Sequence, residues 1–164
     1  MSHSKKLEPK VAILMGSSSD YPVMKEAEDA LKQFQIPSVT RVLSAHRTPE
    51  ETIEFAKKAR ENGFKILIAG AGGAAHLPGV LAAMTVLPVI GVPIASTPLH
   101  GQDALLAMVQ MPKGVPVATV AIGGAYNAGI LAAQILGVGG SEEVLERILQ
   151  YKRDLKLKIL SQKL

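Results

Sequence analysis

Five short strand-like segments, Lys10–Met15, Val39–Leu43, Lys65–Ala69, Val86–Val92 and Val117–Ile122, recur along the chain with helix-like segments between them; Val11–Met15 and Ile66–Ala69 are apolar throughout, whereas Thr40 and Arg41 interrupt the second. That alternation limits the possible folds more than any other feature. Runs that are apolar throughout suit strands covered on both faces, and a strand–helix repeat lays such strands side by side in parallel. The expected class is therefore α/β: a three-layer α/β/α sandwich around a flavodoxin-like parallel five-stranded sheet, order 2-1-3-4-5. In such a sheet a ligand binds past the carboxyl ends of the strands, at the switch between strands one and three. The loops that would meet there are Gly16–Asp20, Ser44–Arg47 and Gly70–Gly79.

The intervening segments carry helix signals. Val23–Gln35 has apolar residues at Val23, Met24, Ala27, Ala30, Leu31 and Phe34, the spacing of one helical face, with Pro22 at its start. Thr48-Pro49-Glu50-Glu51 reads as a capping box opening a helix to about Asn62, which Gly63 terminates. Ala75–Met84, Asp103–Val109 and Asn127–Leu136 are further helices, with a polar loop at Ser96–Gln102 and a hinge at Gly137–Gly140. Ser141-Glu142-Glu143 caps an extended last helix, 141–162, whose stripe of Val144, Leu145, Ile148, Leu149 and Leu155 suits packing on a neighbouring subunit. The whole chain, 1–164, is expected to form one domain with residues 1–9 as a flexible N-terminus.

Charge narrows the function classes. The formal net charge is +4. Lys152, Arg153, Lys156, Lys158 and Lys163 against Asp154 account for all of it, so the excess lies on one helical tail. A solvated helix face explains this better than a nucleic-acid footprint, and no nucleic-acid partner is expected. Between Ile66 and Ser141 the only charged residues are Asp103 and Lys113. Leu77–Thr97 carries no charge at all, but Pro78, Gly79, Pro88, Gly91 and Pro93 break it into pieces too short to span a membrane as one helix. The better reading is that helices of this half are buried against other copies of the chain, which predicts a homo-oligomer. With no cysteine, disulfides, thiolate metal sites and cysteine nucleophiles are excluded. Met1–Lys6 lacks the apolar core of a secretory signal, so a cytoplasmic protein is expected.

Three motifs carry the chemistry. Gly70, Gly72 and Ala75 satisfy the dinucleotide pattern G-x-G-x-x-G/A, but that pattern needs an acidic residue about 20 positions on to hold a ribose. From Asn62 to Gln102 there is no Asp or Glu, and the loop follows the third strand rather than the first. NAD and FAD are thereby disfavoured. What remains is a run of small residues whose backbone N–H groups an anionic ligand can approach closely. Gly16-Ser17-Ser18-Ser19-Asp20 offers hydroxyls and backbone donors at a helix start, a place that suits phosphate but equally suits simple capping. His46-Arg47 lies in a strand-to-helix loop, where it is either a surface pair or a proton carrier beside a phosphate clamp. His76 can be a structural partner or a second acid–base group. A metal held by His46 and His76 would lack nearby carboxylates, so none is expected.

Taken together, Met15-Gly16-Ser17-x-Ser19-Asp20, Ser44-Ala45-His46-Arg47-Thr48-Pro49 and Gly70–Gly79 resemble, in order and spacing, the class I N5-carboxyaminoimidazole ribonucleotide mutases of de novo purine (IMP) biosynthesis. Gln110-Met111-Pro112-x-Gly114-x-Pro116-Val117, Asn127-Ala128 and Ala132–Leu136 resemble the second half of the same family, so the likeness runs from about Val11 to Leu136. Gly123–Tyr126 falls where that family varies, and Gly129 stands where alanine is also familiar.

The resemblance implies the three-layer fold already argued, assembled as a homo-octamer, with neither cofactor nor metal. It implies an isomerase that moves a carboxylate from the exocyclic N5 of its ribonucleotide to C4 of the imidazole ring through trapped CO2. Ser17, Ser19 and Arg47 would hold the phosphate, Asp20 the ribose hydroxyls, and Ser44 would shape the site. The backbone of Gly72, Gly73 and Ala74 would line the carboxylate or CO2 pocket, and His46 would carry protons with His76 in support. The related class II enzymes, which join free CO2 to aminoimidazole ribonucleotide, differ in the glycine loop, where this chain has the mutase-like Gly72-Gly73-Ala74-Ala75-His76. Two alternatives stay open at this point: such a carboxylase, and a non-catalytic nucleotide-phosphate sensor that would need Arg47 but not His46.

Overall fold

The computed structural model describes residues 10–162. The expected flexible N-terminus, 1–9, and Lys163 lie outside the described residues. The elements run β1 (Val11–Met15), α1 (Tyr21–Gln33), β2 (Ser38–Val42), α2 (Pro49–Lys58), β3 (Ile66–Gly72), α3 (Leu77–Met84), β4 (Val89–Ile94), α4 (Gln102–Val109), β5 (Ala118–Thr119), α5 (Ala125–Val138) and α6 (Glu142–Leu160). The five strands pair in parallel in the order β2-β1-β3-β4-β5, as the alternation predicts.

Both faces of the sheet are covered, which is why its central strands read as unbroken apolar runs. Val11, Ile13 and Met15 of β1, with Ile66 and Ile68 of β3, meet Met24, Ala27 and Leu31 of α1 and Ala128 and Ala132 of α5. Ala12, Leu14, Leu67 and Ala69 point the other way, against Phe55 and Ala56 of α2, Leu81 of α3 and Met108 of α4. α1 and α5 approach closely at Gly129: a Cβ there would lie 2.9 Å from the carbonyl oxygen of Ala27. The base of α6 is pinned by buried Val144 and Ile148, by Arg147 Nη1 donating to the Phe34 carbonyl at 3.1 Å, and by Tyr151 edge-on to Phe34. Farther on, Leu155, Leu157, Ile159 and Leu160 are exposed, and so is Leu149 of the expected stripe.

Several boundaries differ from the sequence expectations. β3 was expected to stop at Ala69 but continues through Gly70, Ala71 and Gly72, which pair with Val92, Pro93 and Ile94. Glycine is a poor strand former, and pairing with a neighbouring strand overrides that preference. β4 starts at Val89 rather than Val86, and Val86 is exposed. β5 keeps only two residues of the expected Val117–Ile122. The carbonyls of Gly91 and Pro93 both face β5, accepting from Val120 and Gly123. Amide and carbonyl of one residue point to the same side of a parallel strand, so the missing N–H of Pro93 removes the donor that would extend this ladder.

α2 loses regular geometry after Lys58, yet Gly63, at φ 87°, stops the chain where expected. The expected capping box does not form. Thr48 Oγ1 instead accepts from the Ser44 amide at 2.9 Å and donates to the Ser44 carbonyl at 3.1 Å, closing the loop before the helix. Ser141 likewise makes no side-chain cap, and its carbonyl takes the amides of Val144 and Leu145. Among the described residues no helix is long and apolar enough to cross a membrane.

Candidate active site

At the carboxyl edge of the sheet, where β1 and β3 send their chains to opposite faces, a cleft of about 400 Å³ opens. Its walls come from all three expected loops: Gly16, Ser17, Ser19 and Asp20 after β1; Ser44–Arg47 after β2; Gly72, Ala74 and His76 after β3. Two of the expected features move. Gly70 is a strand residue, and Gly73 does not line the cleft. Gly73 sits at φ 59° and turns the chain so that Ala74 and His76 face the opening.

The wall after β1 and β2 is tied by side chains. Ser17 caps the 3₁₀ turn Ser18–Asp20, its hydroxyl accepting from the Ser19 amide at 3.3 Å and from the Ser19 hydroxyl at 2.9 Å. Arg47 reaches across and donates through Nη2 to the Gly16 carbonyl at 2.6 Å and through Nε to Ser44 Oγ at 3.3 Å. Ser44 Oγ also accepts from the Arg47 amide, and Ser44 is only 8% exposed. The result is a guanidinium held on the Ser44 hydroxyl and the Gly16 carbonyl, in the same cleft as the Ser17 and Ser19 hydroxyls at the amino end of α1. Positive charge, hydroxyls and a helix start together suit a phosphate.

Asp20 is the acid of this wall and is 9% exposed. Burial pushes its carboxyl above the ordinary carboxylate range, and a backbone hydrogen bond at Ser17 and the Arg47 guanidinium partly offset that rise. Its place between the serine turn and α1 leaves it an acceptor for hydroxyl donors.

The opposite wall is mostly backbone. A Cβ on Gly72 would lie 1.9 Å from Ser96 Oγ and 3.0 Å from the Ile94 carbonyl oxygen, so only glycine fits between β3 and the loop after β4. The amides of Gly73 and Ala74 have no hydrogen-bond acceptor among the described residues. Ser96 itself lines the cleft and was missed by sequence reasoning. Its signal is its position just past the carboxyl end of β4, hidden when that strand is ended at Val92.

His46 and His76 come together above these walls. His46 Nε2 and His76 Nδ1 are 2.7 Å apart, and the rings cross at 88°. Among the described residues no group of three His, Asp or Glu side chains is placed to hold a metal.

The sequence matches a known family. A family model for AIR carboxylase matches residues 10–158. The chain belongs to the AIR carboxylase family. It is 57% identical over 152 residues to the N5-carboxyaminoimidazole ribonucleotide mutase of Pyrococcus horikoshii, covering 93% of this chain and 85% of that one. Identity to the Thermotoga maritima protein of the same name is 54%, covering 93% and 88%. The phosphoribosylaminoimidazole carboxylase of Vigna aconitifolia is 51% identical, but this chain spans only 27% of its length. The crystal structure of Treponema denticola PurE superposes with a TM-score of 0.83 at 30% identity, covering 93% of this chain and 94% of that one. The family likeness thus extends beyond the motifs to the fold.

Proposed function

We propose that this member of the family is an N5-carboxyaminoimidazole ribonucleotide mutase, an isomerase of purine biosynthesis. The observation that carries the reading is the meeting, in one cleft, of an arginine–serine wall suited to phosphate and a histidine suited to move protons. Relatives of that name align over nearly the whole chain. Ser17, Ser19 and Arg47 take the phosphate, Asp20 accepts from the ribose hydroxyls, and Ser44 sets the Arg47 side chain. The imidazole then lies toward Ala74, whose free amide and small side chain leave room for the carboxylate.

The chemistry follows from the substrate. His46 gives a proton to N5. The N5–carboxylate bond breaks, its electron pair stays on nitrogen, and CO2 and aminoimidazole ribonucleotide are released into the cleft. C4 is electron-rich through the adjacent amine, so it attacks the trapped CO2 and forms the new C–C bond. His46, now neutral, removes the C4 proton and restores aromaticity. One proton leaves and one returns, so a single acid–base group suffices and the sequence calls on no cofactor. Keeping CO2 beside C4 supplies proximity, and excluding water prevents its loss.

We place the enzyme in the cytoplasm as a homo-octamer. Leu99, Leu106 and Val109, in the half of the chain almost without charge, are 59%, 56% and 54% exposed, as are the apolar residues at the end of α6. Apolar surface of this kind fits burial between subunits. Light scattering should return eight times the chain mass, and a monomer in solution removes this assignment.

A second reading, a carboxylase of free CO2, is favoured by the name of the Vigna relative. Incubating the pure protein with N5-carboxyaminoimidazole ribonucleotide and, separately, with aminoimidazole ribonucleotide, each with and without bicarbonate, separates the two. A mutase forms the 4-carboxy product from the N5-carboxy compound at the same rate with and without bicarbonate. Conversion of aminoimidazole ribonucleotide that depends on bicarbonate, with no turnover of the N5-carboxy compound, establishes the carboxylase instead.

A further inference from the structure

The contact between His46 and His76 constrains which nitrogen of His46 can react. The rings are nearly perpendicular with centroids 4.8 Å apart, and the close approach is between His46 Nε2 and His76 Nδ1 at 2.7 Å. At that distance one nitrogen donates and the other accepts. The opposite nitrogen, His46 Nδ1, has no hydrogen-bond partner among the described residues. His46 stands in the loop after β2, whereas His76 immediately precedes α3, so the pair joins two elements across the cleft.

Resting on the mutase reading above, we infer that His76 is a positioning residue: it accepts from His46 Nε2–H and thereby leaves His46 Nδ1 as the nitrogen that gives and takes the reaction's protons. A base whose other nitrogen is bonded to a fixed partner is held in one tautomer and one ring orientation. The reaction needs both. In the acid stage His46 carries hydrogen on both nitrogens; it gives the Nδ1 proton to N5 and keeps Nε2–H on His76. The neutral ring that remains has its lone pair on Nδ1, where the C4 proton must be received. No ring flip or tautomer exchange separates the two half-reactions. Nothing covalent forms at His76, whose Nδ1 only accepts.

Three variants and one spectrum test this. His76→Ala is expected to lower kcat about 10- to 100-fold while the nucleotide dissociation constant changes little, by analogy with the loss when the hydrogen-bonded support of a metal-ligating histidine is removed. His76→Asn places an amide oxygen where Nδ1 stood and is expected to recover most of that loss. His76→Gln, whose amide lies one bond farther out, is not. In protein labelled with 15N-histidine, His46 should show a protonated Nε2 with a coupling to His76 Nδ1 across the hydrogen bond. Unchanged kcat in His76→Ala overturns the inference. So does a loss confined to nucleotide affinity, equal damage in the Ala and Asn variants, or a spectrum of neutral His46 with its proton on Nδ1 and none on Nε2. If the wild-type protein does not convert the N5-carboxy substrate at all, the mutase reading is what has failed. The spectrum, which needs no turnover, then still decides the tautomer.

Discussion

One wall of the cleft, Gly16–Asp20 with Ser44 and Arg47, is a web of side-chain hydrogen bonds; the other, Gly72–His76, presents backbone and almost no side chain until the histidine. The first suits a charged, directional group such as a phosphate, because a tethered guanidinium and serine hydroxyls line it. The second can admit a small flat group such as a carboxylate or CO2, because nothing projects into the space. The difference separates binding from chemistry, and His46, beside Arg47 in sequence but paired with His76 in space, spans the two.

The largest expected effect breaks the chemistry and spares the grip. His46→Asn should lower kcat by about 10²- to 10⁴-fold, the span attributed to a positioned acid–base group, with nucleotide affinity retained. Stopped assays alongside calorimetric titration measure both, and near-normal turnover removes His46 from its role. Arg47→Ala should do the reverse. Loss of a charged hydrogen-bonding partner costs about 1.5–3 kcal/mol, so the nucleotide dissociation constant should rise about 10- to 150-fold. An unchanged constant with reduced turnover would place the phosphate elsewhere.

Smaller effects sharpen the contrast. Gly72→Ala should destabilise the fold by about 1–3 kcal/mol, the usual cost of forcing a group into filled space. Adding Ser96→Ala should restore part of this and no more, since the Ile94 carbonyl remains 3.0 Å from the new Cβ. Urea midpoints of the two variants report it, and a neutral Gly72→Ala would mean that the backbone wall has slack. Asp20→Asn is the smallest and runs opposite in sign for fold and function. The folded carboxyl titrates above its unfolded value, chiefly through burial, so its ionised form costs stability at every pH above the folded value. That cost fades as pH falls through the folded value and is gone below the unfolded one. At pH 7 the variant should therefore show a slightly higher urea midpoint than the wild type and weaker nucleotide binding. A lower midpoint would show that the carboxylate is net stabilising.

How much of this was legible in the sequence varies residue by residue. The hydroxyl–carboxylate turn and Arg47 could be assigned to one site because the strand order brings their loops together. Thr48 was misread because a threonine before Pro49-Glu50-Glu51 has the local signature of a cap, while its hydroxyl is taken by Ser44 four residues back. Gly70–Gly72 read as loop because glycine weakens strands, and β4 supplied the pairing that kept them in the sheet. Ser96 escaped notice because Pro93 disguised the end of β4.

The alternation of apolar runs with helical segments determined the layer order; 2-1-3-4-5 is one of the common doubly wound orders, and strand pairing in space selected it. The spacing of the motifs determined which loops would share an edge. What only the tertiary structure decided was contact at hydrogen-bond range: Arg47 on the Gly16 carbonyl, Ser96 over Gly72, and His46 Nε2 on His76 Nδ1. Those depend on where independent segments end within a fraction of a residue. Local pattern does not carry that information, because the pairing of neighbouring strands sets it.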